Sequence, residues 1–259
     1  MPAEILLRAT EVSRRFGGLL AVDRASLALA RGEVHALIGT NGAGKSTLVN
    51  VLSGEIRANG GRVHLAQRDV TRWPQPRRAR AGLGRSYQRT TIFPRASVFE
   101  NCRLTAQAHF QQPLRLWSEA ARCPHSTRLA DQAIGQAGLT AQAHRVAGTL
   151  SHGQKRQLEI AMCLATAPSV LLLDEPLAGM GPEESERMLT LLAGLKPKHA
   201  ILLVEHDMDA VFRIADHITV MVNGTVIASD EPQAIRGNAA VQAAYLGESV
   251  ETNEPLRIE

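Results

Sequence analysis

The sequence predicts an α/β protein: a core sheet of buried parallel strands, a β-rich opening, and a helical block inserted mid-chain. Two observations carry this. Val34 to Ile38, Val170 to Leu173 and Ala200 to Val204 are short, almost continuously apolar runs, the pattern of strands buried on both faces of a parallel sheet. Val98 to Gly148 is instead rich in Ala, Gln and Leu at helical spacing, interrupted by Pro113, Cys123-Pro124 and Gly138, which reads as helices.

From the N-terminus, Ile5 to Ala9, Ala25 to Ala30, Val34 to Ile38 and Gly61 to Ala66 are strand candidates, with turn signals at Arg31-Gly32 and Asn59-Gly60-Gly61. After the third comes Gly39-Thr40-Asn41-Gly42-Ala43-Gly44-Lys45-Ser46, which fits G-x-x-x-x-G-K-[ST] without a mismatch. Thr47 to Leu52 continues as a helix that Gly54 is placed to end. The glycines, with Asn41 and Ala43 between them, let successive backbone N–H groups turn inward around a phosphate. Lys45 is then placed to neutralise β/γ oxygens and the Ser46 hydroxyl to ligate Mg2+.

Pro74 and Pro76 are expected to break the chain before Arg77, Arg78, Arg80, Arg85 and Arg89. Aromatic residues make up only 3% of the chain, so platforms for base stacking are scarce. The run reads as a solvated face beside the phosphate site, and no nucleic-acid partner is expected.

Ser151 and Gln154 have the S-x-x-Q form of a capping box. The helix they open carries Leu158, Ala161, Met162 and Ala165 on one face. A helix N-terminus with a hydroxyl and a glycine, Gly153, is an anion site in waiting. The second apolar strand ends in Asp174-Glu175 and the third in Glu205-His206-Asp207, and ligand chemistry gathers at the carboxyl ends of such strands. Asp174 is placed to hold Mg2+ and Glu175 to polarise an attacking water, while His206 is placed to sense the γ-phosphate. Gln88 follows the P-loop in the order that suits contact with metal or lytic water. Phe16 offers a flat surface for adenine, with a place in the core as the alternative. Core structure is expected to resume through about residue 230, followed by a short helix, Val241 to Leu246.

At 259 residues with 44% hydrophobic, the chain suits one large core plus a subdomain. No apolar run approaches the ~18 residues needed to span a bilayer, and Ile5-Leu6-Leu7 follows no basic-then-apolar signal. Three widely spaced cysteines suggest neither a disulfide framework nor a metal site. The expectation is a cytosolic protein that borrows any pore from other chains. Its net charge of +4 suits anionic lipid or simple solubility.

In this order, P-loop, Gln88, Leu150-Ser151-His152-Gly153-Gln154, Leu171-Leu172-Leu173-Asp174-Glu175 and His206 resemble the ATPase subunits of ABC transporters, over about residues 5 to 248. The resemblance implies a P-loop NTPase of the ABC ATPase kind, an α/β core with an N-terminal antiparallel β-subdomain and an inserted α-helical subdomain. It implies one domain over residues 1–248, with the insertion at about 92–150, and a polar tail over 249–259. Lys45, Ser46 and Thr47 would hold ATP phosphates and metal, alongside Gly39, Asn41, Gly42, Ala43 and Gly44 of the loop. Gln88 would be the Q-loop residue, also at the metal, Asp174 the Walker B carboxylate, Glu175 the catalytic base, His206 the switch histidine and Phe16 the adenine stacker. Ser151 and Gly153, with Gln154 in the same signature, would meet the γ-phosphate of ATP held by an opposite subunit, giving an ATP-sandwiched dimer.

Arg14-Arg15-Phe16-Gly17-Gly18-Leu19, Ala21-Val22-Asp23, Gly84-Arg85-Ser86-Tyr87-Gln88, Leu203-Val204-Glu205-His206-Asp207-Met208 and Ala244-Tyr245-Leu246-Gly247-Glu248 resemble the larger of the two ATPases of branched-chain amino-acid importers. That implies two membrane permease subunits, a second ATPase subunit (identical or different) and, indirectly, a periplasmic solute-binding protein. The place implied is the cytoplasmic face of the inner membrane. An ATPase of lipopolysaccharide export is the nearby alternative, and Glu205 to Met208 and Ala244 to Glu248 argue against it. A soluble ABC ATPase acting on DNA or ribosomes usually carries two ATPase domains or a long coiled coil. Two departures from the wider pattern stand out: His152 replaces a common glycine, and Gly181, in Leu177-Ala178-Gly179-Met180-Gly181, replaces an aspartate that helps couple sites across the dimer.

Overall fold

The computed structural model describes residues 4–87, 91–110 and 123–249. The opening is an antiparallel sheet. β1 (Ile5–Phe16), β2 (Leu19–Ala30), β4 (Gly60–Leu65) and β5 (Arg68–Asp69) lie in the order β2-β1-β4-β5. Leu7 and Val12 of β1 and Val22 and Leu29 of β2 are fully buried, while Arg15, Phe16 and Leu19 at the β1–β2 turn are exposed.

The core sheet follows the order β10-β9-β3-β8-β7-β6, built from β3 (Glu33–Gly39), β6 (Leu83–Arg85), β7 (Val170–Asp174), β8 (Ala200–Val204), β9 (His217–Val222) and β10 (Thr225–Asp230). All pairings in it are parallel except the β9–β10 hairpin. Leu37 pairs with Val204, and Val204 pairs with Asp174 on its other side. The carboxyl ends of β3, β8 and β7 therefore open side by side, which is where a parallel sheet collects its ligand chemistry.

Because strand side chains alternate, the two faces of this sheet feed different cores. Leu172 and Leu202 pack with Leu48 and Leu52 of α1 (Lys45–Ser53) and with the antiparallel sheet. Leu171, Leu173 and Leu203 pack instead with α5 (His152–Leu164) and α6 (Pro182–Leu195). That second core extends without a break into α3 (Val98–Phe110) and α4 (Pro124–Gln136), through Cys102, Ala106, Ala130 and Ala133. Small side chains at these positions let α3, α4 and α5 approach closely. α7 (Met208–Ile214), α8 (Pro232–Arg236) and α9 (Ala239–Ser249) cover the β3–β9 end. No helix among the described residues is long and apolar enough to cross a membrane.

Most expected elements fall inside observed ones, with ends shifted by a few residues. The arginine run differs. Pro76 opens a short helix, α2 (Gln75–Arg80), instead of breaking the chain, because proline at a first helical turn gives up no needed N–H. Arg77 and Arg80 are exposed as expected, but Arg78 is only 1% exposed. Its guanidinium donates to Val51 O and Leu52 O at 2.7 Å each, and to Thr71 O and Trp73 O at 3.1 Å each. The Arg85 guanidinium donates to Asn50 Oδ1 (2.5 Å), Ser53 Oγ (2.7 Å) and Glu55 Oε2 (2.6 Å). The last turn of α1 leaves carbonyls without helical partners; Arg78 donates to two of them, while Arg85 holds the side chains of Asn50, Ser53 and Glu55 at the same end. The solvated-face reading is thus corrected for both. Arg89, Pro113 and the tail over 250–259 lie outside the described residues.

Candidate functional site

The loop between β3 and α1 is built on backbone that only glycine takes easily. Gly44 caps α1 at φ 97°, and a Cβ there would stand 2.3 Å from Ala21 O. No side chain caps this helix, so its first turn faces the cleft with its positive dipole end exposed. The buried Lys45 folds back, donating from Nζ to Gly39 O (2.5 Å) and Thr40 O (2.9 Å). Ser46 is exposed and Thr47 half-buried beside it.

A cleft of about 500 Å3 lies over this loop. Its walls include Asn41, Gly42, Ala43, Gly44, Lys45, Ser46 and Thr47, together with Phe16, Glu175 and His206. The fold thus brings together residues from four separate places in the sequence. Phe16 is 44% exposed, so it is a rim residue and not a core one, and the Arg14 guanidinium sits 4.4 Å from its ring centre. Gly39 ends β3 just beneath the loop.

Asp174 closes β7 and is buried, with its N–H donating to Ser86 Oγ at 3.2 Å. Burial, reinforced by the neighbouring Glu175 charge, raises its carboxyl above the usual range, while Arg85, Lys45 and His206 pull the other way. Glu175 takes a left-handed φ of 50° and donates its N–H to Val204 O at 2.9 Å. Such a conformation costs a non-glycine residue ~1–3 kcal/mol and persists only where the surroundings fix it. His206 Nε2 meets Glu175 Oε1 at 2.7 Å.

The sequence gives Glu205 no task at the site, yet it ties the end of β8 to the loop after Glu175. It is 3% exposed, and its carboxylate accepts from Leu177 N (2.8 Å) and His206 N (3.3 Å). Burial pushes its carboxyl up to about 7. The Asn223-Gly224 turn and Leu20 also line the cleft. Asn-Gly is a legible hairpin signal, but nothing local says what the hairpin faces.

At the second expected anion surface, the capping box is present. Ser151 Oγ accepts from Gln154 N at 3.2 Å, and Gln154 Oε1 accepts from Ser151 N at 3.1 Å. His152 Nε2 donates to Ala178 O at 2.9 Å. Ser151, Gly153 and Gln154 line a separate pocket of about 200 Å3 that shares no lining residue with the P-loop cleft. Within one chain, the structure keeps the two surfaces expected to meet phosphate apart. A larger cleft of about 950 Å3 lies between α4 and α6; it carries none of Ser151, Gly153 and Gln154 and shares with their pocket Gly138, Gln157 and Arg187. Gln88 lies outside the described residues.

Residues 22–178 match the family described as ABC transporter. The chain belongs to the ABC transporter family. As an ABC ATPase it has the expected α/β architecture, with the antiparallel sheet and inserted helices already described. Residues 225–251 also match a model described as branched-chain amino acid ATP-binding cassette transporter. The chain is 41% identical to the high-affinity branched-chain amino acid transport ATP-binding protein LivG of Salmonella typhimurium, over 94% of this chain and 98% of the relative. It is 37% identical to BraF of Pseudomonas aeruginosa, described in the same words, with the same coverage. An ATP-binding cassette of an ABC transporter, solved in an ADP conformation, superposes with a TM-score of 0.84 at 30% identity, over 94% of this chain and 99% of that one. A nucleotide-free cassette gives 0.82 at 29% identity, over 93% and 98%.

Proposed function

We propose that this ABC ATPase powers import of branched-chain or related amino acids, working as an ATP-sandwiched dimer. The observation that carries the proposal is the meeting of the P-loop, Glu175 and His206 on one cleft while the Ser151 surface stands apart. A chain that grips phosphate in one place and offers a second phosphate surface elsewhere is completed by another subunit.

In this reading Phe16 stacks on adenine, and the backbone from Gly39 to Gly44 cradles the phosphates. Lys45 exchanges Gly39 O and Thr40 O for β/γ oxygens, with Ser46 and Thr47 beside it. Glu175 takes the proton of the attacking water, and His206 holds Glu175 and reaches the γ-phosphate. Gln88 contributes to the same centre. The oxygen donors Ser46 and Asp174 suit a hard cation held by few protein ligands plus phosphates, which is the manner of Mg2+. Asp174 is buried beside Glu175, and a cation there would offset the repulsion between the two carboxylates. Bound there, Mg2+ supplies neutralisation of the charge on the β/γ oxygens.

The partners in this reading are two permease subunits, a second ATPase chain, and a periplasmic binding protein that supplies the solute, with the chain peripheral on the cytoplasmic face. The match over residues 225–251 favours amino-acid import over lipopolysaccharide export or a non-transport role. The test is a pull-down of the tagged chain from detergent-solubilised membranes, with every partner identified and amino-acid uptake measured alongside. Two permeases and uptake lost in Lys45→Ala are expected. Recovery of ribosomal or DNA-repair partners instead sinks the proposal.

A further inference from the structure

The phosphate-facing end of α5 already has an occupant. Glu184 sits in the first turn of α6, where an acid suits its own helix dipole, yet its side chain crosses to the other helix. Oε1 accepts from Ser151 Oγ at 3.0 Å. A Cβ on Gly153 would stand 2.6 Å from the Glu184 carboxyl carbon and 2.7 Å from Oε1. The carboxylate is therefore packed against the backbone of the first turn of α5, where a Cβ at 153 would push it away.

A serine hydroxyl has one hydrogen to give. Ser151 Oγ accepts from Gln154 N, and its single O–H goes to Glu184. A phosphate oxygen arriving from outside cannot share that proton, and it brings like charge against a carboxylate in the same pocket of about 200 Å3. Carboxylate and phosphate are the same kind of ligand for a helix N-terminus, so the two compete.

We infer that Glu184 is the resident ligand of the signature helix, and that the γ-phosphate carried by a second subunit must displace its carboxylate to complete the composite site. This rests on the reading that Ser151 and Gly153 face ATP held by that subunit. The contact also fastens α5 to the segment that follows Glu175, with His152 Nε2 to Ala178 O as a second tie. Closure of the dimer thus breaks a bond on the element that follows directly from the hydrolytic residue.

The test is an ATP titration of dimer formation by the full chain with Mg2+, followed by light scattering in the Glu175→Gln background. Glu184→Ala should reach half-dimer at an ATP concentration lower by about threefold or more, since a charge-assisted contact is removed from the competing state. Glu184→Gln, which keeps the side-chain volume, should move the same way by less. Glu186→Ala removes an equal charge from an exposed side chain of the same helix that pairs with Arg213, outside the Ser151 pocket, and should leave the half-point where it was. An unchanged or higher half-point in both Glu184 variants overturns the inference, as does an equal shift in Glu186→Ala. Ser151→Arg separates the underlying reading: it should abolish dimers. If Ser151→Arg dimerises like its parent, or the parent forms no dimer, the two-subunit reading fails and this inference falls with it.

Discussion

His206 Nε2 donates to Glu175 Oε1 across 2.7 Å, joining the carboxyl ends of two neighbouring parallel strands. The pairing of Asp174 with Val204 brings the next residues of each strand out side by side. The left-handed backbone of Glu175, anchored through its N–H to Val204 O, then sets its side chain facing the P-loop cleft. Histidine so held steadies the carboxylate that would take a proton from water.

Glu175→Gln removes that proton acceptor while keeping the size of the side chain and an oxygen within reach of His206. ATP hydrolysis should fall by about 10²–10⁴-fold, the usual worth of a general base, with ATP affinity unchanged and dimers persisting in ATP. A variant that hydrolyses ATP at the rate of the natural chain would show that Glu175 is not the base.

Much of this corner is legible in the sequence, because buried parallel strands announce themselves as apolar runs and their ends carry the polar residues. Asp174, Glu175 and His206 follow from that rule, and Gly39 to Ser46 from the G-x-x-x-x-G-K-[ST] pattern. Glu205, Glu184 and Arg78 do not. Each owes its place to a partner distant in the chain: Leu177 for Glu205, Ser151 for Glu184, and the end of α1 for Arg78. An acid beside His206 and an acid in the first turn of a helix read locally as solvent-facing. Only the packing of strands and helices shows that one is buried and the other crosses to a neighbouring helix.

Arg78 is expected to be a stability residue. Arg78→Met strands the carbonyls of Leu52, Thr71 and Trp73 that its guanidinium now satisfies and leaves Val51 O with the Gly54 N–H alone. At ~1–3 kcal/mol for each buried group left unpaired, and allowing for relaxation, the loss should be about 3 kcal/mol. Tm should drop by about 10 °C for a chain of this size. Arg77→Met, at an exposed neighbour stacked on Trp73, is the control, and an equal drop there would contradict the buried-network account.

Glu205 makes stability depend on pH with a definite sign. Its folded carboxyl is raised to about 7, first by burial, above an ordinary value near ~4.3. A raised acid binds its proton more tightly in the folded state, so its stabilising contribution is full below ~4 and is lost as pH climbs through about 7. Glu205→Gln carries no such titration, though its single carbonyl can serve only Leu177 N or His206 N. Denaturant unfolding from pH 5 to pH 8 should therefore move in favour of the variant by about 2 kcal/mol, whatever the offset at pH 5. A difference that stays flat across that range would show that Glu205 is ionised throughout.

Gly181 opens α6 without a side-chain cap, at φ −75° and ψ 167°, and nothing stands within 4 Å of where a Cβ would be. An aspartate there fits without strain and can accept from the N–H groups of the first turn. Relative to glycine, such a cap is worth only a few tenths of a kcal/mol, so Gly181→Asp should raise Tm by about 1 °C. Glu183 and Glu184 already crowd that turn with negative charge, and a third carboxylate gives some of the gain back. Gly181→Asn offers the same cap without the charge and should stabilise at least as much. If thermal unfolding ranks the aspartate clearly above the asparagine, attraction to the helix dipole outweighs repulsion among the three acids.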